Sequence, residues 1–275
     1  LATSMFLSGN LRDQGLGGSH PRGMTLWFSK GKSGITNVIG CANSGYLVCE
    51  APGLTEDLFA SLRDHLAGRV LRGINGVAAQ ISGILRALEL PMQSAVMDAV
   101  EPHYRLDLAQ LLVPGGQSTL RRAEPEDLQL LTDWRMASEV EVLGGSDTPQ
   151  NRAQARASLQ ELQQADRLRV LMAEGVPVAM TNFNAVLPGI VQIGGVYTPP
   201  GLRGCGYARR AVALHLQDAR DSGTSEAILF AASPAAARAY EAIGFGRIGD
   251  YRIVNFDPPV TVEDGLRKRD EGEGR

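Results

Sequence analysis

Val196-Tyr197-Thr198-Pro199-Pro200-Gly201-Leu202-Arg203-Gly204-Cys205-Gly206-Tyr207-Ala208 decides how this chain is read. It runs from a β-branched and aromatic strand end, through a Pro-Gly turn, into an Arg-Gly-x-Gly-x-Ala segment that opens a helix. Consecutive backbone N–H groups at a helix start, among residues small enough for close approach, make a cradle for an anion of phosphate or pyrophosphate size.

The neighbouring segments fit that reading. Ile190 to Thr198 is the strand that feeds the turn, and Gly206 to Arg220 is the helix that leaves it. Ala208, Ala211, Val212, His215, Leu216 and Ala219 fall on one face of that helix. Arg209, Arg210, Gln217, Arg220 and Asp221 fall on the other. Ala227 to Ala232 is a nearly unbroken apolar run, the pattern of a strand covered on both faces. Ser233-Pro234 then starts a helix with a Ser cap and Pro in the first turn, ending at Gly244, and Tyr251 to Phe256 is a last strand.

Two nucleotide motifs fail on spacing. A dinucleotide fingerprint needs a third small residue where Arg209 stands and a carboxylate at the end of the next strand, which closes instead in Ala231-Ala232-Ser233. A P-loop needs Gly-Lys-Ser/Thr, and Ala208-Arg209-Arg210 follows the glycines here.

Arg203 to Ala208 resembles the Arg/Gln-x-x-Gly-x-Gly/Ala signature of the GNAT superfamily of acyl-CoA N-acyltransferases. Ser233 to Phe245, with Tyr240-Glu241-Ala242-Ile243-Gly244-Phe245, is similar to that family's Asn/Ser…Tyr-x-x-x-Gly-Phe segment. The likeness covers residues 118–258 well and 1–112 in outline. It implies a mixed-sheet α/β fold with two GNAT-like domains in tandem: a degenerate copy at 1–113, an acetyl-CoA-binding catalytic copy at 117–258 and a charged tail at 259–275.

The resemblance also implies roles. The amides of Arg203, Gly204, Cys205, Gly206, Tyr207 and Ala208 would hold the pyrophosphate of acetyl-CoA, and Val196, Tyr197 and Thr198 would pair with its pantetheine arm. Gly194-Gly195 is a fitting place for the bulge that splays this strand from the next. Tyr240 matches the tyrosine that protonates the departing thiolate; packing beneath the adjacent strand is the alternative. Ser233 matches a pantetheine contact and is equally a plain N-cap. The expected activity is acetyl transfer to a primary amine by direct attack in a ternary complex; the alternative is a non-catalytic acyl-CoA-binding or sensing module.

The carry-over fails at the general base. Many family members place a carboxylate on the fourth strand, where this chain has Gln192 and glycines, and a Gln cannot accept a proton at neutral pH. Glu139 and Glu141, after Trp134, are the candidates, with solvated helix-end acids as their other reading. An acceptor arriving deprotonated would need no base.

Cys205 reads as a small loop residue, His215 as a core histidine, His103 as a residue before a strand, and Trp27 and Trp134 as core or pocket walls. In the first half, residues 1–23 read as irregular. Met24–Phe28, Gly34–Cys41, Gly45–Glu50 and Val70–Ile74 read as strands, with helices over Leu54–Leu66 and from Gly76 to Leu88. Pro114-Gly115-Gly116-Gln117 is the expected boundary. Glu124-Pro125-Glu126-Asp127 opens a helix, Arg152–Gln164 is another, and Arg169–Glu174 with Val176–Asn182 forms a hairpin turned at Glu174-Gly175. Gly73-Ile74-Asn75-Gly76 occupies, in order along the chain, the place that Arg203–Ala208 holds in the second half, as an internal duplication would leave it.

At 275 residues, two domains are the better expectation. A net charge of −3 provides no basic field for nucleic acid. Cys41, Cys49 and Cys205 form no metal-ligand spacing or disulfide framework. No apolar run is long enough to span a bilayer and no basic-then-apolar leader opens the sequence. The expectation is therefore a cytoplasmic protein, monomer or homodimer, without metal, nucleic acid or membrane partners, acting on a small-molecule or peptide amine.

Overall fold

A computed structural model describes residues 2–32, 34–143 and 146–263. In chain order the elements are α1 (Ala2–Gln14), β1 (Met24–Gly31), β2 (Gly34–Ala42), β3 (Tyr46–Glu50), α2 (Glu56–Leu66), β4 (Val70–Val77), α3 (Ala78–Ala87) and β5 (Ala95–Asp107). There follow β6 (Thr119–Arg122), α4 (Leu128–Leu143), α5 (Pro149–Gln164), β7 (Leu168–Ala173), β8 (Val176–Leu187) and β9 (Ile190–Tyr197). The chain closes with α6 (Tyr207–Asp221), β10 (Glu226–Phe230), α7 (Pro234–Glu241) and β11 (Gly246–Thr261).

These elements form two compact units: one takes the chain up to Glu101 and from Asp250 onward, the other takes Pro102–Gly249. The divisions thus fall inside β5 and β11, and not at Pro114–Gln117 or at residue 258. The chain from Pro102 onward is already committed to the second unit. Arg105 and Leu106 pair with Ile228 and Ala227 of β10, and Leu106, Leu108 and Leu111 are buried in that unit's core. The turn at 114–118 is held to the start of α6 by Arg210, which donates to the carbonyls of Pro114, Gly116 and Ser118.

In the first unit β1, β2 and β3 form an antiparallel meander, β3 runs parallel to β4, and β4 pairs antiparallel with β11. Leu47, Cys49, Leu71, Ile74, Ile81, Ile84 and Val254 form its core. Residues 1–23, expected to be irregular, contain α1. Gly9 and Asn10 weaken its local propensity, and burial of Ala2, Met5 and Leu7 outweighs that deficit. The chain after it turns through Gly15, Gly17 and Gly18, all at positive φ. Gly73 to Gly76 is a second correction: it lies within β4 and forms no turn. A side chain at Gly73 would meet the Val254 carbonyl and one at Gly76 the Cys49 carbonyl, so these glycines serve close strand packing. The expected tail at 259–275 is a third: Val260 and Val262 are buried, and Val262 donates to the Arg69 carbonyl. Residues 264–275 of that tail lie outside the described residues.

In the second unit β6, β7, β8 and β9 are antiparallel, β9 runs parallel to β10, and β10 pairs antiparallel with the end of β5. The β7–β8 hairpin turns at Glu174 (φ 51°) and Gly175 (φ 79°), both left-handed as a tight two-residue hairpin requires. On one face α6 and α7 cover Phe183, Val191, Ile193, Ala227 and Leu229. On the other, α4 and α5 cover Leu168, Val170, Met180 and Tyr197 through Leu128, Leu131, Trp134 and Leu159.

Candidate active site

The glycine segment sits where β9 gives way to α6. Gly204 (φ 81°) and Gly206 (φ 78°) are both left-handed, a backbone that costs other L-residues about 1–2 kcal/mol. Nothing lies within 4 Å of the position a Gly204 side chain would take. The backbone amides from Gly204 to Arg209 have no hydrogen-bond partner among the described residues. They lead into and form the first turn of α6, whose buried stripe includes Ala211, Val212, His215, Leu216 and Ala219, as the phase of the sequence indicates. The helix dipole adds a favourable field for an anion there.

Two arginines flank the segment differently. Arg203 turns back from it: its Nη atoms donate to both Glu141 oxygens at 2.6 Å, its Nε donates to the Thr198 carbonyl at 3.0 Å, and its guanidinium covers the Tyr197 ring. Arg209 stays close, with Nη2 3.6 Å from the side-chain position of Gly206 and a buried Nε lacking a hydrogen bond. Helical phase assigns Arg209 to the outer face of α6, and its guanidinium lies at the lip of the segment beside Gly206.

β9 opens beside this segment. Its ladder with β10 covers Ile190, Val191 and Gln192, opposite Glu226, Ala227 and Ile228, and goes no further. The pairing with β8 slips between Met180↔Tyr197 and Asn182↔Gly194, which places a bulge at Gly195 (φ 54°), where one was expected. The stretch from Ile193 to Tyr197 therefore has an edge free of β10, bordered by Val196, Tyr197 and Thr198.

Tyr240 is buried on α7, its ring edge-on to Phe245 at 6.1 Å, in the same apolar cluster as Val196. Ser233 caps α7, accepting the Ala236 N–H at 3.2 Å, so the capping reading holds. Cys205 is exposed. Both candidate bases are engaged. Glu139 accepts from Arg135 Nε at 2.7 Å, and the Arg203 guanidinium holds the Glu141 carboxyl below the usual carboxylate range, against proton uptake at neutral pH. Gln192 is buried and donates to the Ile193 carbonyl at 2.8 Å. His215 stacks on Phe183 at 3.6 Å, and burial drives its pKa well down. His103 is pushed down to about 4 by burial and lies against Phe230. Trp134 packs on Tyr197, and Trp27 lies under the Arg69 guanidinium.

Sequence reading missed Asn182 and Asn184. Asn182 donates to Asn184 Oδ1 at 2.8 Å, and its own Oδ1 is buried without a partner. The Asn182 and Asn184 carboxamides fill the space that side chains at Gly195 and Gly194 would need. Their spacing of two on a strand opposite a double glycine is the signal that could have found them.

The first unit repeats the strand–helix–parallel strand order at β3–α2–β4, but its connection is no anion cradle. The Ala51 and Gly53 amides are already taken by Gln80 Oε1 and Asn37 Oδ1. Glu56 and Asp57 occupy the first turn of α2, where they repel an anion.

Residues 129–245 match the model of the acetyltransferase (GNAT) family. Solved structures extend the fold likeness to both units. A GCN5-related N-acetyltransferase from Kribbella flavida is similar at 17% identity, covering 93% of this chain and 94% of its own, with a TM-score of 0.61. A GNAT-family acetyltransferase from Colwellia psychrerythraea is similar at 14% identity over 93% and 94%, with a TM-score of 0.57. A GCN5-related glucosamine N-acetyltransferase region of a fungal multi-domain protein is similar at 12% identity over 93% of this chain and 36% of its own, with a TM-score of 0.55. No curated protein matches the sequence. The fold is that of two GNAT-like units in tandem. No helix among the described residues is long and apolar enough to cross a membrane, and no group of side chains among them is arranged to hold a metal ion.

Proposed function

We propose that the second unit transfers an acetyl group from acetyl-CoA to a primary amine by direct attack in a ternary complex. The observation that carries this reading is the run of unpartnered amides from Gly204 to Arg209 beside the open edge of β9. The amides of Gly204, Cys205, Gly206, Tyr207 and Ala208, with the Arg209 guanidinium, bind the pyrophosphate. Val196, Tyr197 and Thr198 pair with the pantetheine arm, and Ser233 borders it. Arg203 serves as a clamp between α4 and the end of β9.

Acetyl-CoA supplies an activated thioester. The neutral amine attacks its carbonyl, polarised by a backbone N–H near Val196; the C–N bond forms and the C–S bond breaks. Tyr240 gives its proton to the departing thiolate, and the proton lost by the amine nitrogen passes to water, from which Tyr240 is restored. A general acid of this kind contributes about 10²–10⁴ in rate. Tyr240→Phe is therefore expected to lower kcat at least about 10-fold while leaving acetyl-CoA affinity within about twofold. Thiol release over an amine panel, with acetyl-CoA binding measured in parallel, checks this; equal loss of both would remove the acid role.

One observation favours a second reading. Glu139 and Glu141 are both held by arginines, as a non-catalytic acyl-CoA-binding module would allow. Acetyl-CoA binding without thiol release on any amine would establish the module.

A further inference from the structure

The double glycine of β9 faces the buried carboxamide of Asn182. A side chain at Gly195 would collide with Asn182 Oδ1, which is buried and unpartnered, while the amide end of Asn182 is fixed by its hydrogen bond to Asn184. The oxygen is thereby aimed at the bulge, next to the edge that accommodates the pantetheine arm in the reading above. A buried acceptor atom left without a donor costs about 1–3 kcal/mol, which a donor brought by a ligand would recover.

The charged groups that the packed elements bring to this face are few. From α4 come Arg135, whose Nη1 stands 3.5 Å from the side-chain position of Gly195, and Glu139, bound to Arg135. From β7 comes Leu168 opposite Asn182, and from β9 come glycines. Arg135 is about a third exposed, so its guanidinium meets solvent beside the bulge. A cation there disfavours an ammonium ion and favours a neutral amine.

We propose that Asn182 Oδ1 receives an N–H of the acceptor, and that the site accordingly takes a weakly basic amine as its free base, a peptide α-amino group being the type. An amide oxygen orients the nitrogen lone pair toward the thioester but takes no proton, so the acceptor must be deprotonated before it enters. At pH 7 a peptide α-amine with a pKa of about 7.7–8.0 is roughly 10–15% neutral, whereas a lysine side chain with a pKa of about 10.4 is roughly 0.04% neutral. The bond changes are those of the acetyl transfer above, on which this inference rests: C–N forms, C–S breaks, the thiolate is protonated and the nitrogen loses its proton to water.

The test uses the full chain, acetyl-CoA and two peptides, one with a free α-amine and no lysine, the other N-terminally blocked with one lysine. Expected at pH 7 is a kcat/KM at least about 30-fold higher for the α-amine, with the gap narrowing as pH rises toward the lysine pKa. Asn182→Ala should cut kcat/KM at least about 10-fold with acetyl-CoA affinity kept, which also reports an intact fold. Asn182→Asp, which places a base at the same point, should narrow the preference at least threefold. Equal or better use of lysine at pH 7 would overturn the inference, as would an acid-side ionisation that vanishes in Glu139→Gln. Either outcome would leave the acetyltransferase reading standing, whereas release of thiol with no amine would overturn both.

Discussion

Gly195 and Gly204 share a left-handed backbone but differ in what surrounds them. Around Gly204 there is open space, so Gly204→Ala meets only the backbone strain of about 1–2 kcal/mol. In the proposed reading it also weakens acetyl-CoA binding, because the added methyl group stands over the amides. At Gly195 the Asn182 carboxamide fills the place, so Gly195→Ala adds overpacking to strain, for about 2–5 kcal/mol in total. Denaturant unfolding of the two variants should rank them in that order. Equal losses would mean that Asn182 moves aside without cost. The turn at Gly204 and Gly206 and the place of Tyr240 on α7 were readable from the sequence because each belongs to a local pattern. The engagement of Glu139 and Glu141 was not. Arg203 lies far along the chain from Glu141, and only the fold brings the two together.

At the scale of the element, α6 carries a titratable group inside its apolar stripe. His215 is buried with both ring nitrogens lacking hydrogen bonds among the described residues, and burial holds its pKa well below the usual 6.5. The folded state therefore binds the proton less readily than the unfolded chain. Stability from this group is fully present above about pH 6.5 and is lost as pH falls below it. His103, lowered to about 4, acts with the same sign down to that pH. His215→Phe should reduce the loss of stability between pH 7.5 and 5.5, leaving the His103 part; an unchanged slope in urea titrations would show that folding leaves the proton affinity of His215 unaltered. The stripe of α6 was legible because its period of 3.6 repeats over several turns. The helix α1 was not, because its propensity is poor and its stability comes from burial against β3 and β4, which no local window contains. For the same reason Gly73 and Gly76 resembled turn glycines: what they admit is a neighbouring strand, β11 from the far end of the chain at Gly73 and β3 at Gly76.

At the scale of the molecule, the last strand of the chain, β11, completes the first unit and not the second. The expected boundary at Pro114–Gln117 followed composition, whereas strand pairing places the crossings in β5 and β11. A chain ending at Gly249 would lack Val254, Phe256, Val260 and Val262, all members of the first unit's core. Hydrogen exchange on that truncation should show protection lost in β3, β4 and α3 and retained in α6 and β10. Loss in α6 and β10 instead would contradict the assignment of β11 to the first unit.

The same connectivity sets a timetable. Synthesis delivers β4 early, but its partner β11 emerges only after all of Pro102–Gly249 has been made, a delay on the order of ten seconds at ribosomal rates. Through that interval β4 offers an unpaired edge to any other nascent strand. The half of the protein that is born first is thus completed last, and its yield in cells should depend on how well chaperones guard that edge while the second unit folds.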